Sequence, residues 1–178
     1  TNEERTIKEI YKRFQDWMPK DGTLRKNQKK LLAIKCAHEM REVGGGEVMT
    51  SFVCDDDIQE NDKFILSRLS LAPMETAALF EFIGRIKNLQ FVYISYCTME
   101  QSAYLGLANV LKKDNKIKDL AIHYCRTSAN DVKHVIDALG NENCKITHLD
   151  LSGSNFTDEI AKSLSDALKS GNCKLTEF

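Results

Sequence analysis

Apolar residues recur in one fixed frame along the second half of the chain. Ile117, Leu120 and Ile122 occupy positions 1, 4 and 6 of a short segment, and a helical stripe of apolar residues follows it. The same frame opens at Leu89 and at Ile146, so the steps between copies are 28 and 29 residues. A unit of this kind cannot bury its apolar side alone and stacks on its copies. Self-similarity at this period therefore predicts a repeat architecture.

The unit itself predicts a strand followed by a helix. In a short strand, positions 4 and 6 point toward the core, while positions 3, 5, 7 and 8 point outward or turn away. Strands that pair in parallel need a crossover connection, which the helix supplies. Because a helix is wider than a strand, we predict an α/β solenoid, a horseshoe with parallel strands on its concave face and a small helical region before it.

Four units and the start of a fifth follow from this frame. The units begin near Leu66, Leu89, Ile117 and Ile146, and a truncated fifth unit begins at Leu175. The first unit is degenerate, since its step to the second is only 23 residues. We therefore expect shorter loops or a shorter helix, over about residues 75–86, in that unit.

Polar residues indicate where the helices of the later units begin. Thr98 and Gln101 have the spacing of a capping box before the second helix, and Ser128 and Thr157 can cap the third and fourth helices. The residues predicted to face the strands are Val132, Val135, Ile136 and Leu139 in the third helix, and Ile160, Ala161, Leu164 and Leu168 in the fourth.

Residues 1–63 follow a different pattern. A helical stripe runs over the first 18 residues, and a second helix is predicted from about Leu24 to Val43. A strand is predicted over 48–54 and an acidic loop over 55–62. We divide the chain into a helical N-terminal cap, or the end of a helical domain, over 1–63 and repeats over 64–178. The inward-facing residues predicted for the two helices are Ile7, Ile10, Tyr11, Phe14, Trp17 and Met18, and then Leu31, Leu32, Cys36, Met40 and Val43.

The composition is that of a globular chain and narrows the set of partners. The 178 residues are 42% hydrophobic and 29% charged, with a net charge of −1. So small a net charge produces no long-range electrostatic attraction to nucleic acid or to an anionic membrane. No apolar run is long enough to span a bilayer, and no signal-peptide pattern opens the sequence. The six cysteines include no C-x-x-C pair, which predicts reduced thiols in a cytoplasmic protein.

Sequence motifs for catalysis, cofactors and metals are missing. Gly44, Gly45 and Gly46 are not followed by the Lys-Ser/Thr of a phosphate-binding loop, and the acidic loop lacks the glycine and glutamate of an EF-hand. No G-x-S-x-G or H-E-x-x-H pattern occurs. We therefore expect no catalytic residue, no cofactor and no metal site, and we predict that the chain is not an enzyme.

The positions that face away from the predicted helices carry aromatic and charged residues. Exposed, clustered aromatic rings are typical of protein-binding hot spots. The alternative is that some of these rings pack on the N-terminal cap or fill space at a strand edge. We predict a partner-binding surface formed by Phe91, Tyr93, Tyr96, His123, Tyr124, His148 and Asp150.

The unit L-x-x-L-x-L-x-x-C/N resembles the ribonuclease-inhibitor class of leucine-rich repeats. It occurs here as Ile117, Leu120, Ile122 and Cys125, and its alternation between 28 and 29 residues is typical of that class. The lead-ins at 143–146 and 172–175, both Asn-Cys-Lys followed by Ile or Leu, are similar to the repeats of NOD-like receptors. The resemblance covers about residues 64–178.

This resemblance implies a protein–protein recognition module of a cytosolic NOD-like innate immune receptor. Such a module would bind a ligand or partner protein through its concave face, with no nucleic acid and no membrane insertion. The alternative is a regulator of an enzyme on the same repeats, either ribonuclease-inhibitor-like or GTPase-activating. A GTPase activator would need an exposed arginine that reaches the nucleotide, and Arg126 is the candidate.

The predicted fifth unit has only four positions, because the sequence stops at Phe178. Stacked repeats with an open end expose apolar surface and a strand edge. We therefore expect either that the chain is a piece of a longer protein or that the open edge pairs with another chain, which includes self-association.

Overall fold

Helices and strands alternate along most of the chain. The computed structural model describes residues 5–6, 9, 12–13, 16, 26–39, 62–126 and 128–178. Helix α1 (Lys26–Glu39) precedes strand β1 (Lys63–Ser67). The elements that follow are α2 (Pro73–Arg85), β2 (Phe91–Ser95), α3 (Gln101–Leu111), β3 (Asp119–His123), α4 (Ala129–Ala138), β4 (His148–Asp150) and α5 (Asp158–Lys169). Each helix delimited in these residues is too short or too polar to pass through a bilayer.

The four strands form one parallel sheet in the order β1-β2-β3-β4. Phe64 pairs with Val92, Val92 with Leu120, and Leu120 with Leu149. Position 4 of the units therefore forms one row across the sheet, which confirms the frame predicted for the second, third and fourth units. The fold is α/β, with consecutive strands adjacent and a helix in each crossover.

The first unit begins five residues earlier than predicted. Leu66 pairs with position 6 of the second unit, so the predicted start near Leu66 is wrong and the step between the two units is 28 residues. Leu66, Leu69 and Leu71 have the spacing of positions 1, 4 and 6, but the buried residues of β1 follow a different register, with Phe64 at position 4. Phe64 and Leu66 are fully buried, whereas Ile65 is 52% exposed, and such alternation fixes the register of a strand with one buried face. The helix of this unit, α2, has 13 residues and is not shortened.

Burial alternates along β1 and β2 and defines two faces of the sheet, whereas in β3 the outward-facing Ala121 is buried as well. In β2, Val92 and Ile94 are fully buried, whereas Phe91, Tyr93 and Ser95 are partly exposed. Helices α2 to α5 pack side by side on the buried side, and one apolar core runs between the sheet and the helices. We call the other side, formed by positions 3, 5 and 7 of each unit, the open face.

Two of the three predicted helix caps are confirmed. Ser128 and Thr157 each accept a hydrogen bond from a backbone N–H in the first turn of α4 and α5. The capping box predicted for Thr98 and Gln101 is wrong, because the N-cap of α3 is Glu100, whose side chain makes no capping hydrogen bond. Thr98 instead forms backbone bridges to the units on both sides, so parallel pairing continues past the end of β2.

Helix α1 packs on α2 with a face that differs in part from the predicted one. Leu31 is buried as predicted, but Ile34 and Ala37 are also buried, and Leu32 and Cys36 are only half-buried. Residues three apart share one side of a helix, so the stripe 31–34–37 meets α2. Polar contacts with α2 flank this stripe at Lys35–Glu75 (3.1 Å) and His38–Glu81 (2.7 Å).

The other N-terminal predictions concern residues outside the described part of the chain. These are the apolar stripe over the first 18 residues, Met40 and Val43, the strand over 48–54 and the acidic loop before Asp62. Within the span of the first predicted helix, residues 5–6, 9, 12–13 and 16 are described, and they are helical and exposed.

The outer side of α5 is exposed. The prediction that Ala161 and Leu168 face the strands is wrong: Ala161 is exposed and Leu168 is 52% exposed, while Ile160 is fully buried and Leu164 half-buried. Leu139 holds the place of Leu168 in the preceding unit and is 1% exposed, because α5 packs beside α4. The difference therefore comes from the neighbouring helix and not from the residue.

The segment after α5 aligns with the start of a further unit, as predicted for Leu175. Glu177 forms a parallel bridge with His148 of β4. The backbone N–H groups of Thr176 and Glu177 donate to the Thr147 carbonyl at 2.8 and 3.0 Å. The parallel pairing of the sheet therefore extends to this segment.

Candidate functional site

A turn with left-handed backbone follows each of the four strands. Position 8 of the units has positive φ, at Arg68 (58°), Tyr96 (53°), Tyr124 (49°) and Gly153 (79°). The N–H groups of the first three donate to the position 7 carbonyl of the next unit at 2.8 to 3.0 Å. A non-glycine residue in this conformation costs about 1–2 kcal/mol. The pairing between units offsets that cost and directs these side chains to the border of the open face.

Tyr96 and Tyr124 stack on each other at this border. Their ring centroids lie 5.4 Å apart and their planes differ by 8°. The two residues are 58% and 59% exposed, although both are large and largely apolar. They hold the same position in adjacent units, so the parallel register brings them together, as predicted. Clustered exposed aromatic residues of this kind are common in the hot spots of protein interfaces.

Gly153 continues the row beyond Tyr124. A Cβ atom at position 153 would lie 2.4 Å from Tyr124 Cδ1 and 3.0 Å from Tyr124 Cα. Only a residue without a side chain fits there, so the Tyr124 ring lies against the backbone of the fourth unit. This contact supports the ring from the side opposite Tyr96.

His123 and Asp150 form a polar pair on the open face. His123 Nε2 lies 2.7 Å from Asp150 Oδ2. The hydroxyl and the backbone N–H of Ser152 donate to Asp150 Oδ1 at 2.6 and 2.8 Å. These hydrogen bonds from Ser152, together with His123, lower the pKa of Asp150 below its ordinary value. Asp150 therefore presents a negative charge on the open face at neutral pH.

His148 contacts a carboxylate on each side. Its Nδ1 lies 3.4 Å from Asp119 Oδ1, and its Nε2 lies 3.3 Å from Glu177 Oε1. The three residues hold position 3 in consecutive units, so the register of the sheet aligns them. Thr147 Oγ1 lies 2.9 Å from Nδ1 and restricts the ring further.

Phe91 and Tyr93 are separate from the tyrosine stack. Both are half-buried on β2. The ammonium group of Lys63 lies 4.9 Å from the centroid of the Phe91 ring, within range of a cation–π interaction. Tyr93 stands in its row between Ile65 and Ala121. The predicted aromatic residues thus lie on neighbouring strands but in two groups, one on the sheet and one at its border.

Charge is unevenly distributed over the open face and its border. The cationic residues Lys63 and Arg68 belong to the first unit. The anionic residues Asp119, Asp150 and Glu177 belong to the third, fourth and fifth units. The tyrosine stack belongs to the second and third units, between the cationic first unit and the anionic residues of the fourth and fifth units.

Two buried thiols lie beneath the turns and are excluded from surface chemistry. Cys97 and Cys125 hold position 9 of adjacent units and are 1% and 3% exposed. The hydrogen bond with the Cys125 thiol lowers the pKa of Cys97 to about 7, and the same bond raises the pKa of Cys125. A thiol this deeply buried meets no substrate, so we assign the pair to the packing of the turns.

Five residues that shape this surface were not among the predicted site residues. Lys63 and Arg68 were missed because the first unit was misaligned, and Gly153 because it has no side chain that signals contact. Asp119 and Glu177 were identifiable in principle, since the frame puts both at position 3 beside His148. Their pairing with His148 depends on side-chain geometry that spacing does not contain.

The described residues include no group of three His, Cys, Asp or Glu side chains arranged to hold a metal ion. All seven predicted site residues lie on the open face or its border, which the shared register explains.

No protein-family model matches the chain, and no curated protein sequence matches it either.

Proposed function

We propose that this chain is a protein-recognition module of the leucine-rich-repeat solenoid type, as in cytosolic NOD-like innate immune receptors. The partner protein would bind on the open face, which is the concave side of such a solenoid. Support comes from the 28- and 29-residue steps, the row of position 4 residues and the left-handed turn after each strand. Stacked units of this kind form extended binding surfaces.

The observation that carries the proposal is the exposed stack of Tyr96 and Tyr124. Two large rings that leave more than half of their surface in water gain the burial of apolar area when a partner covers them and supplies hydrogen bonds to their hydroxyls. The left-handed turns fix the backbone at both tyrosines, and the contacts of the Tyr124 ring with Tyr96 and Gly153 restrict that ring before any partner arrives, which reduces the conformational entropy lost on binding.

The charges around the stack define the chemistry of the partner. Asp119, Asp150 and Glu177 favour a partner segment with lysine or arginine over the third to fifth units. Lys63 and Arg68 favour an acidic residue over the first unit. Five adjacent strand positions are separated by four spacings of about 4.8 Å, so they span roughly 19 Å. An extended segment of about six residues covers that distance.

A random peptide library displayed on phage, with inserts of about 12 residues, tests this proposal directly. We expect the wild-type chain to select peptides that combine basic residues with at least one aromatic or large aliphatic residue. The double variant Tyr96→Ala/Tyr124→Ala should bind the selected peptides roughly thirtyfold more weakly, which corresponds to about 2 kcal/mol. The variant Asp150→Asn should reduce the preference for basic residues.

The matched control is Leu105→Ala. Leu105 is 41% exposed on α3, away from the open face, so its removal should leave peptide binding and the unfolding midpoint nearly unchanged. Selection of the same peptides by wild type and by the double tyrosine variant would contradict the proposed site. Selection of acidic peptides would contradict the proposed partner chemistry.

The alternative of an enzyme regulator remains a prediction. Arg126 is exposed in the turn after β3, and its backbone N–H donates to the Cys97 carbonyl at 3.0 Å. Its side chain is therefore available to a nucleotide on a bound GTPase. Unchanged GTP hydrolysis by a panel of GTPases in the presence of the chain would remove the GTPase-activating interpretation.

A further inference from the structure

A groove lined by lysines crosses the units at the edge where the strands begin. Its volume is about 450 Å³. Four lysines line it, namely Lys116, Lys118, Lys145 and Lys174, together with three uncharged residues that can form hydrogen bonds. No carboxylate is among these lining residues. We refer to it as the lysine groove.

The repeat register builds this groove. Lys116, Lys145 and Lys174 directly precede position 1 in three consecutive units, at steps of 29 residues. Lys118 and Thr147 hold position 2 and also line the groove. The carbonyl of Lys118 accepts hydrogen bonds from the N–H groups of Thr147 and His148 at 2.8 and 3.1 Å, which joins the third and fourth units beside the groove. The lysines therefore recur at about the 4.8 Å spacing of parallel strands.

The ammonium groups have only partial compensation for their charge. Lys116 Nζ donates to Asn88 Oδ1 at 3.0 Å. Lys174 Nζ donates to the carbonyls of Glu142 and Cys144 at 3.0 and 2.9 Å. Within residues 62–126 and 128–178, none of the four lysines of the groove forms an ion pair with a carboxylate. Like charges at this spacing repel one another, and a bound anion would remove that repulsion.

The nearby carboxylates do not fill this role. Asp62 accepts a hydrogen bond from Gln90 Nε2 at 2.9 Å, at the end of the groove formed by the second unit. Asp114 and Glu142 are exposed in the neighbouring turns and do not line the groove.

We propose that the lysine groove binds a compact anion that carries several phosphate groups. Lysine ammonium groups are common phosphate ligands, and four lysines line this groove. The column from Lys116 to Lys174 covers two strand spacings, or roughly 10 Å, which suits a short chain or ring of phosphates better than a single phosphate. The groove is lined by residues other than those of the open face, although Thr147 contacts His148, and the proposal is independent of the proposed recognition function.

Isothermal titration calorimetry, in which inorganic tripolyphosphate is titrated into the full chain at low ionic strength, tests the proposal. We expect saturable binding that weakens as sodium chloride is raised from about 50 to about 200 mM. The double variant Lys118→Gln/Lys145→Gln should lose affinity by at least about tenfold. The control Lys162→Gln/Lys169→Gln removes the same charge from exposed positions on α5 and should stay within about twofold of wild type.

Vesicles of phosphatidylcholine with and without phosphatidylinositol bisphosphate separate two sources of the phosphate groups. Sedimentation that requires the bisphosphate lipid and Lys118 and Lys145 would assign the groove to a lipid headgroup. Binding of tripolyphosphate without sedimentation would assign it to a soluble anion. Should the double variant fail to fold, the single exposed substitution Lys118→Gln gives the same test. The proposal is overturned if wild type does not bind tripolyphosphate, or if both double variants lose binding equally.

Discussion

At the residue scale, position 8 of the units determines the surface on which the proposed function depends. Tyr96 and Tyr124 accept a left-handed backbone that a side chain disfavours, and their rings are exposed as a result. Gly153 holds the same position in the fourth unit and allows Tyr124 to lie against the backbone. The tyrosine pair could be predicted from the period alone, whereas the need for glycine at 153 follows from a contact between units.

The substitution Gly153→Ala tests that contact. The new Cβ would collide with Tyr124, so we expect a loss of stability together with a change in the near-UV circular dichroism of the stacked rings. Gly171 also has positive φ, 75°, but nothing lies within 4 Å of an added Cβ. Gly171→Ala should therefore cost only about 1–2 kcal/mol for its backbone. Gly153→Ala should cost at least about 1 kcal/mol more in urea unfolding.

Equal costs for the two glycine variants, with unchanged circular dichroism, would show that Tyr124 moves aside without penalty. The ring would then not be held in a fixed position, and the argument for a pre-organised hot spot would fail.

At the element scale, helix ends were predictable where a side chain closes the first turn. The Ser128 hydroxyl and the Asp131 carboxylate exchange hydrogen bonds with each other's backbone N–H at 3.3 and 3.0 Å. The start of α3 was not predictable in this way, because Thr98 is used in pairing between units and Glu100 makes no side-chain cap. Local spacing identifies a cap only when the tertiary structure leaves the capping residue free.

The substitution Ser128→Ala should lower the free energy of unfolding by about 1 kcal/mol, because it removes the hydroxyl that accepts a hydrogen bond from the Asp131 N–H. Glu100→Ala is the matched control, since it changes an N-cap residue that makes no capping hydrogen bond. It should alter stability by no more than about 0.5 kcal/mol in the same urea titration. A larger loss for Glu100→Ala than for Ser128→Ala would reverse this assignment of caps.

At the scale of the whole molecule, each helix is buried by the helices on either side of it. Ile83, Leu111, Leu139 and Leu168 hold the same position in the four units. The first three are 1%, 0% and 1% exposed, whereas Leu168, in the last helix, is 52% exposed. The exposed outer side of α5 continues into a groove of about 400 Å³ whose apolar lining includes Phe156 and Phe178.

This difference predicts unequal effects of the same substitution. Leu139→Ala removes a fully enclosed side chain and should cost about 3 kcal/mol in the free energy of unfolding. Leu168→Ala removes a side chain that is already half in water and should cost less than about 1 kcal/mol. Urea unfolding at several protein concentrations measures both. An equal and concentration-dependent cost at Leu168 would indicate that another copy of the chain covers α5 in solution.

By itself, the sequence determined the period, the strand–helix unit and the row of buried residues through Val92, Leu120 and Leu149. These features depend on alternation and spacing within one unit, and each unit repeats the same information. It also determined that the seven predicted site residues share one side of the sheet, because the same frame applies to every copy.

Only the tertiary structure decided the register of the first unit, the pairing of His123 with Asp150 and of His148 with Asp119 and Glu177, and the exposure of Leu168. Each of these depends on what stands beside a residue in the neighbouring unit or helix. Burial of Phe64 overrode a better-spaced set of leucines because the strand had to pair with β2. Contacts between units are not encoded in the spacing within a unit, so they emerge only when the units are stacked.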